Sequence, residues 1–209
     1  MPKRILVVAA HPDDELLGCG GTIALHARAG DCVTAIVVCE GESLRYGPNG
    51  VGQAEHTRQA ARTLGVQDVR VLGFPDQKLD TLPLTEIITP LERIVRELRP
   101  EIVFRALLVA TRPIEDSIGA VYTFDTASST EWGYPRTFAP DTWVEITETL
   151  EQKIAAMACY TSEVRPYPHP RSLEGLRHRA RAWGNQACLE AAEVFMTVRR
   201  TVRHGETPV

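Results

Sequence analysis

The sequence has no Cys-x-x-Cys pair, no basic excess and no apolar run long enough for a membrane span. Each absence removes a class. The five cysteines, Cys19, Cys32, Cys39, Cys159 and Cys188, are scattered and odd in number. That argues against a disulfide scaffold or a thiolate zinc finger and for reduced, mostly buried thiols in a cytoplasmic protein. A formal net charge of -4 gives no electrostatic footprint for nucleic acid. No apolar stretch approaches the ~20 residues of a transmembrane helix, so no membrane partner is expected. The opening MPKRILVVAA has too short an apolar run for a secretory leader. Internal repeats, low-complexity tracts and long linkers are also missing, so residues 1–209 are expected to form a single domain.

What is present is an α/β pattern. Residues 4–10 (RILVVAA) and 33–39 (VTAIVVC) are continuous apolar runs, as in strands buried on both faces. Further strands are expected at 69–74, 101–104, 121–125 and 143–146, with a last one at 195–202. Helices are expected at 16–29, 53–64, 84–98, 148–160 and 172–192, Gly30 and Gly65 stopping the first two. Pro90 marks a kink or a late start in the third. Strands alternating with helices predict a Rossmann-like, mostly parallel sheet with helices on both faces. Such sheets bind ligands beyond the carboxyl ends of their strands.

His11-Pro12-Asp13-Asp14-Glu15 follows the first strand directly. Pro12 favours an extended His11 and a helix start after it. The three acids then fall in a first helical turn, where free N–H groups and the helix dipole favour carboxylates. One aspartate there would be an ordinary cap; two aspartates, a glutamate and a histidine exceed what a cap needs. Imidazole and carboxylate are ligands for Zn²⁺, and a second carboxylate can take a proton from water activated by the metal. Crowded like charges are themselves a reason to expect a cation. The glycines of GCGG (18–21) lack the Gly-x-Gly-x-x-Gly spacing, and close helix–strand packing accounts for them. His26 reads as structural, and His56, His178 and His204 as solvated. His169, between prolines in RPYPHPRS, is the remaining histidine of interest.

AHPDDELLGCGGTIALHARAG (10–30) resembles the N-terminal motif of the PIG-L/LmbE family of zinc-dependent de-N-acetylases. The resemblance extends to CEGE (39–42), LGFPDQKLD (72–80) and AEVF (192–195). It implies a metal-dependent N-deacetylase that hydrolyses an N-acetylglucosamine-type amino-sugar conjugate, with Zn²⁺ as cofactor. It implies His11 and Asp14 as metal ligands, Asp13 as general base and Glu15 as a supporting acid. It further implies Glu42 and Asp76 as substrate-binding acids, and His169 as a catalytic group from the C-terminal segment. The partner implied is a small-molecule amino sugar, and a homo-oligomer is left open. Family members often carry an Arg near Gln53, which this chain lacks.

The resemblance also implies a third metal ligand, a histidine in the loop after the fourth strand. None lies between His56 and His169. At RPEIVFRALLVATRP (99–113), Phe104 is claimed both by a strand and by a helix face formed with Leu107, Leu108 and Thr111. Such a junction leaves no room for the usual connection of about 2–6 residues. It predicts either a loop lost between residues 102 and 107 or an incomplete site, and its abruptness favours the lost loop. An incomplete site would make the protein a non-catalytic carbohydrate- or metabolite-binding relative.

Overall fold

A computed structural model of the chain describes residues 1–47, 50–105, 118–133 and 138–202. Its centre is a seven-stranded sheet. The apolar runs read as buried strands become β1 (Arg4–Ala9) and β2 (Cys32–Cys39), followed by β3 (Asp68–Phe74), β4 (Ile102–Arg105) and β5 (Ala120–Phe124). These five pair in parallel, in the order β3-β2-β1-β4-β5. Two C-terminal strands, β6 (Thr142–Glu145) and β7 (Ala192–Arg200), extend the sheet beyond β5, with β7 antiparallel to both of its neighbours.

Alternation along β1 assigns the two faces. Ile5 and Val7 point into a core shared with α1 (Asp14–Arg28), α3 (Gln53–Leu64), α5 (Leu150–Cys159) and α6 (Leu173–Gln186). Leu6 and Val8 point into the other core, covered by α4 (Leu84–Leu98) through Ile87, Leu91, Ile94 and Val95. A single turn, α2 (Ser43–Tyr46), lies in the loop after β2. The expected α/β architecture is thus observed, with helices on both faces. Strand order reverses between β1 and β4, the kind of switch point at which open α/β sheets place ligands.

Three boundaries differ from the sequence reading. The last helix stops at Gln186 rather than 192, because the chain doubles back around Gly184, whose carbonyl accepts from Leu189 N at 2.9 Å. A Cβ on Gly184 would lie 2.6 Å from Leu189 O. β7 consequently begins at Ala192 rather than 195. α4 spans residues 84–98 as expected, running through Pro90 with no late start. The third difference is that β4 continues through Arg105, so Phe104 is a strand residue and residues 106–119 connect β4 to β5. The expected helix at 104–112 falls largely on residues 106–117, outside the described residues.

α1 is broken at Cys19, whose φ of -142° is not helical. Side chains from distant elements satisfy the interrupted ladder. Lys153 Nζ donates to Leu17 O at 2.9 Å, and Glu193 accepts from Gly21 N at 2.8 Å and Thr22 N at 2.7 Å. Lys153 and Glu193 pair with each other at 2.6 Å and are both buried. This buried ion pair is fully hydrogen-bonded, the condition under which one is tolerated. The glycines here admit neighbours rather than phosphate: a Cβ on Gly18 would lie 2.0 Å from the Phe124 ring, and one on Gly21 would lie 2.8 Å from Ile146.

Gly18→Ala is therefore expected to overpack the α1–β5 contact and lower stability by about 1–3 kcal/mol. Urea denaturation with an unchanged m-value would show it. An unchanged midpoint would mean that Phe124 has room to move.

Candidate active site

The chain leaves β1 and turns sharply. Asp13 takes a left-handed backbone (φ 96°, ψ -29°) at the N-cap of α1 and makes no side-chain cap. The sequence reading placed Asp13 inside the first turn; it lies just before it, and α1 starts at Asp14. A non-glycine residue in this region is strained, and such strain gathers at functional sites. The turn is closed by His11 N donating to Asp14 Oδ2 at 3.1 Å. His11 and Asp14 therefore face each other, with imidazole Nδ1 3.5 Å from Asp14 Oδ2. The other ring nitrogen, Nε2, lies 2.9 Å from Asp76 Oδ1, brought in by the loop after β3.

Asp13 is turned toward a cluster contributed by the C-terminal half. Arg171 Nη1 donates to Asp13 Oδ2 and to Glu163 Oε2, both at 2.9 Å, while its Nε donates to Ser128 Oγ at 2.7 Å. Glu163 is buried and also accepts from Gln53 Nε2 at 2.8 Å and Tyr46 Oη at 2.9 Å. Arg45 stands at its edge, 3.6 Å from Glu163 and 3.4 Å from Asp76. Glu15 turns inward, accepting from Tyr160 Oη at 2.6 Å and from Asp13 N at 3.1 Å.

The electrostatics follow from burial and crowding. Burial, and then the Asp14 charge, push Asp13 well above the usual aspartate range, with Arg171 opposing. Burial raises Glu15 to about 7 against its bond from Tyr160. The Asp14 hydrogen bond and then the Cys39 thiol raise His11 to about 10 despite its burial. Acidic side chains thus crowd around His11. A divalent cation beside them would relieve their mutual repulsion.

The donor set fits Zn²⁺ in part. With metal–ligand bonds of about 2.0–2.1 Å, neighbouring ligands of a tetrahedron stand about 3.3 Å apart, close to the 3.5 Å between His11 Nδ1 and Asp14 Oδ2. Among the described residues, no group of three His, Cys, Asp or Glu is placed to hold a metal. Residues 106–117, which follow β4, contain no histidine. The lost loop expected between residues 102 and 107 is not seen through Arg105, where the strand is uninterrupted and paired on both sides; the remaining steps lie outside the described residues.

The other site residues are placed as follows. Glu42 accepts from Val51 N, Gly52 N and Gln53 N, tying the loop to the start of α3. Asp76 is completely buried. His169 accepts Arg171 N on Nδ1 at 3.0 Å, and its ring lies edge-to-face with Trp132, 5.8 Å between centroids. Arg171, Glu163, Tyr160 and Arg45 were missed in the sequence. The segment RPYPHPRS drew notice for its histidine, while Arg171, two residues on, is the one that reaches Asp13.

The profile described as GlcNAc-PI de-N-acetylase, PIG-L, matches residues 6–111. The chain belongs to the PIG-L family. It is 34% identical over 109 residues to a Bacillus cereus protein named as a probable N-acetyl-alpha-D-glucosaminyl L-malate deacetylase, covering 48% of this chain and 50% of that one. The chain spans about half the length of the curated relatives it matches first. The crystal structure of the conserved protein TT1542 from Thermus thermophilus superposes with a TM-score of 0.74 at 26% identity, covering 99% of this chain and 100% of that one. That of GalB, a 4-carboxy-2-hydroxymuconate hydratase from Pseudomonas putida, superposes at 0.73 with 22% identity, covering 98% and 100%. At that identity the likeness concerns the fold alone.

Glu40 fastens the loops around the site. Its carboxylate accepts from Glu42 N, Ser43 N, Ser43 Oγ and Asp76 N. Its partial burial raises the pKa, but these bonds outweigh it and hold Glu40 down to about 2. A depressed carboxylate stabilises the fold above its unfolded value of about 4.3 and loses that contribution as pH falls through the folded value. The wild type is expected to be more stable than Glu40→Gln at pH 6–7, the gap closing between about pH 4.3 and 2. Urea midpoints measured across that range would show it; a constant gap would remove this account.

Proposed function

We propose that this protein is a zinc-dependent hydrolase that removes the N-acetyl group from an N-acetylglucosamine-type amino-sugar conjugate. The observation that carries this reading is the convergence of His11, Asp14 and Asp13 at the carboxyl end of β1 in a chain of the PIG-L family. His11 Nδ1 and Asp14 Oδ2 would hold the metal. Bound Zn²⁺ supplies Lewis acidity toward the amide carbonyl and lowers the pKa of water.

The rest belongs to the protein. Asp13 accepts the proton of the attacking water; its carboxylate makes no capping bond to α1 and is met by Arg171 instead. Arg171 donates to Asp13 and favours the ionised form that a base requires. His169, beside Arg171 and the exposed Trp132, stands on the side we assign to the departing amine. Glu42 shapes the substrate side through the loop it ties. Asp76, buried beside His11, is the other acid that the resemblance assigns to the substrate side. The names of the relatives support the amino-sugar class. The free thiols support a cytoplasmic setting. No helix among the described residues is long and apolar enough to cross a membrane.

A second reading is a non-catalytic carbohydrate- or metabolite-binding relative. It is favoured by the missing histidine between His56 and His169, since a catalytic zinc site has three protein ligands and no group of three is placed to hold a metal among the described residues.

Two measurements separate these readings. The enzyme is expected to bind about one zinc per chain and to release acetate from N-acetylated amino sugars until a chelator is added; sugar binding without acetate release would select the second reading. Within the enzyme reading, Asp13→Asn is expected to lower turnover about 10²–10⁴-fold while keeping its metal. Asp14→Ala is expected to lose the metal, and undiminished zinc in that variant would strike Asp14 from the ligands.

A further inference from the structure

Asp76 is an anomaly. Its side chain has no exposed surface, and neither carboxylate oxygen accepts a well-aligned hydrogen bond from the described residues. A buried carboxylate in that condition is costly, and such groups call for an explanation. Its backbone is fixed, Asp76 N donating to Glu40 Oε1 at 3.1 Å. Arg45 lies 3.4 Å from Oδ2. Oδ1 lies 2.9 Å from His11 Nε2, within hydrogen-bond distance though not aligned for a bond in this structure.

The two nitrogens of one imidazole point apart and cannot both bind the same ion. One faces Asp14 and the other Asp76. The two carboxylates differ in access: the Asp14 side chain keeps 10% of its surface exposed, whereas Asp76 keeps none. An ion that must also admit water and substrate belongs on the accessible side. Metal-bound histidines almost always donate their second N–H to a carboxylate, carbonyl or water, which fixes both tautomer and ring orientation.

Resting on the metal-dependent reading above, we propose that Asp76 is the positioning residue of the centre: it accepts the Nε2–H of His11, thereby presenting the Nδ1 lone pair beside Asp14. Asp76 touches neither metal nor substrate. The carboxylate that the family resemblance places on the substrate side instead works from beneath the first ligand. The loop after β3 is then part of the metal site, and Glu40 fixes the depth at which that loop sits.

The experiment compares wild type, Asp76→Asn and Asp76→Ala, each shown to be folded by circular dichroism. Zinc affinity is measured by competition with a chromophoric chelator, and the His11 ring protons are followed by NMR. The amide oxygen of asparagine can still accept from Nε2–H, so Asp76→Asn is expected to stay within a few-fold of wild-type affinity. Asp76→Ala is expected to lose about 10–100-fold. A protected His11 Nε2–H signal is expected in wild type and Asp76→Asn and not in Asp76→Ala. Equal zinc affinity in Asp76→Ala and wild type would overturn the proposal. So would an Asp76→Asn variant as weak as Asp76→Ala, which would make Asp76 a ligand. A raised KM at unchanged zinc affinity would return Asp76 to the substrate. Failure of the enzyme reading looks different, since wild type would release no acetate. The Nε2–H signal would still decide whether Asp76 holds the ring, and its absence from wild type would refute the proposal.

Discussion

Everything around the first strand depends on the balance of charge among acids taken out of water. Asp13, Asp14, Glu15, Asp76 and Glu163 are all buried within the same corner of the molecule. Left alone they would repel and protonate. Arg171 bridges two of them, Tyr160 donates to a third, and His11 lies between the remaining pair. The arrangement is not a route to stability as such, because buried charges recover little more than their desolvation cost. Its effect is to hold carboxylates at set positions in a low-dielectric pocket, which is the environment a cation and a general base require.

The parts of this site that lie close together in sequence were legible, and those that meet only through the fold were not. His11, Asp13 and Asp14 announce themselves because a strand end, a proline and a helix start place them together. Arg171 meets Asp13 across 158 residues, and Tyr160 meets Glu15 across 145. No local pattern marks such a partner, and an arginine among prolines resembles any polar loop. The left-handed backbone of Asp13 was equally hidden, since aspartate before a helix is an ordinary cap. For the fold the same division holds. The continuous apolar runs showed which strands are buried on both faces. The end of α6 was missed because its stop is a close approach at Gly184 rather than a helix-breaking residue.

After β4 the sequence lacks the histidine that the family resemblance implies. The strand continues through Arg105, which makes Phe104 a strand residue; the rest of the junction lies outside the described residues. Oxygen donors are plentiful in this corner and nitrogen donors few. Carboxylate-rich sites suit Mn²⁺ and Mg²⁺ better than imidazole-rich ones do.

The break in α1 carries a consequence for how the chain is made. Residues 6–111 contain β1, α1 and most of the parallel sheet. Yet the amides of Gly21 and Thr22 find their acceptor in Glu193, and the carbonyl of Leu17 finds its donor in Lys153. A nascent chain leaving the ribosome presents those groups long before either partner has been synthesised. Buried and unmatched they would be costly, so the bend in α1 has its full set of partners only once β7 and α5 are in place. The half of the molecule that carries the family signature therefore depends on the other half for the partners of its first helix. An amino-terminal fragment would hold the motif without the side chains that satisfy the bend behind it.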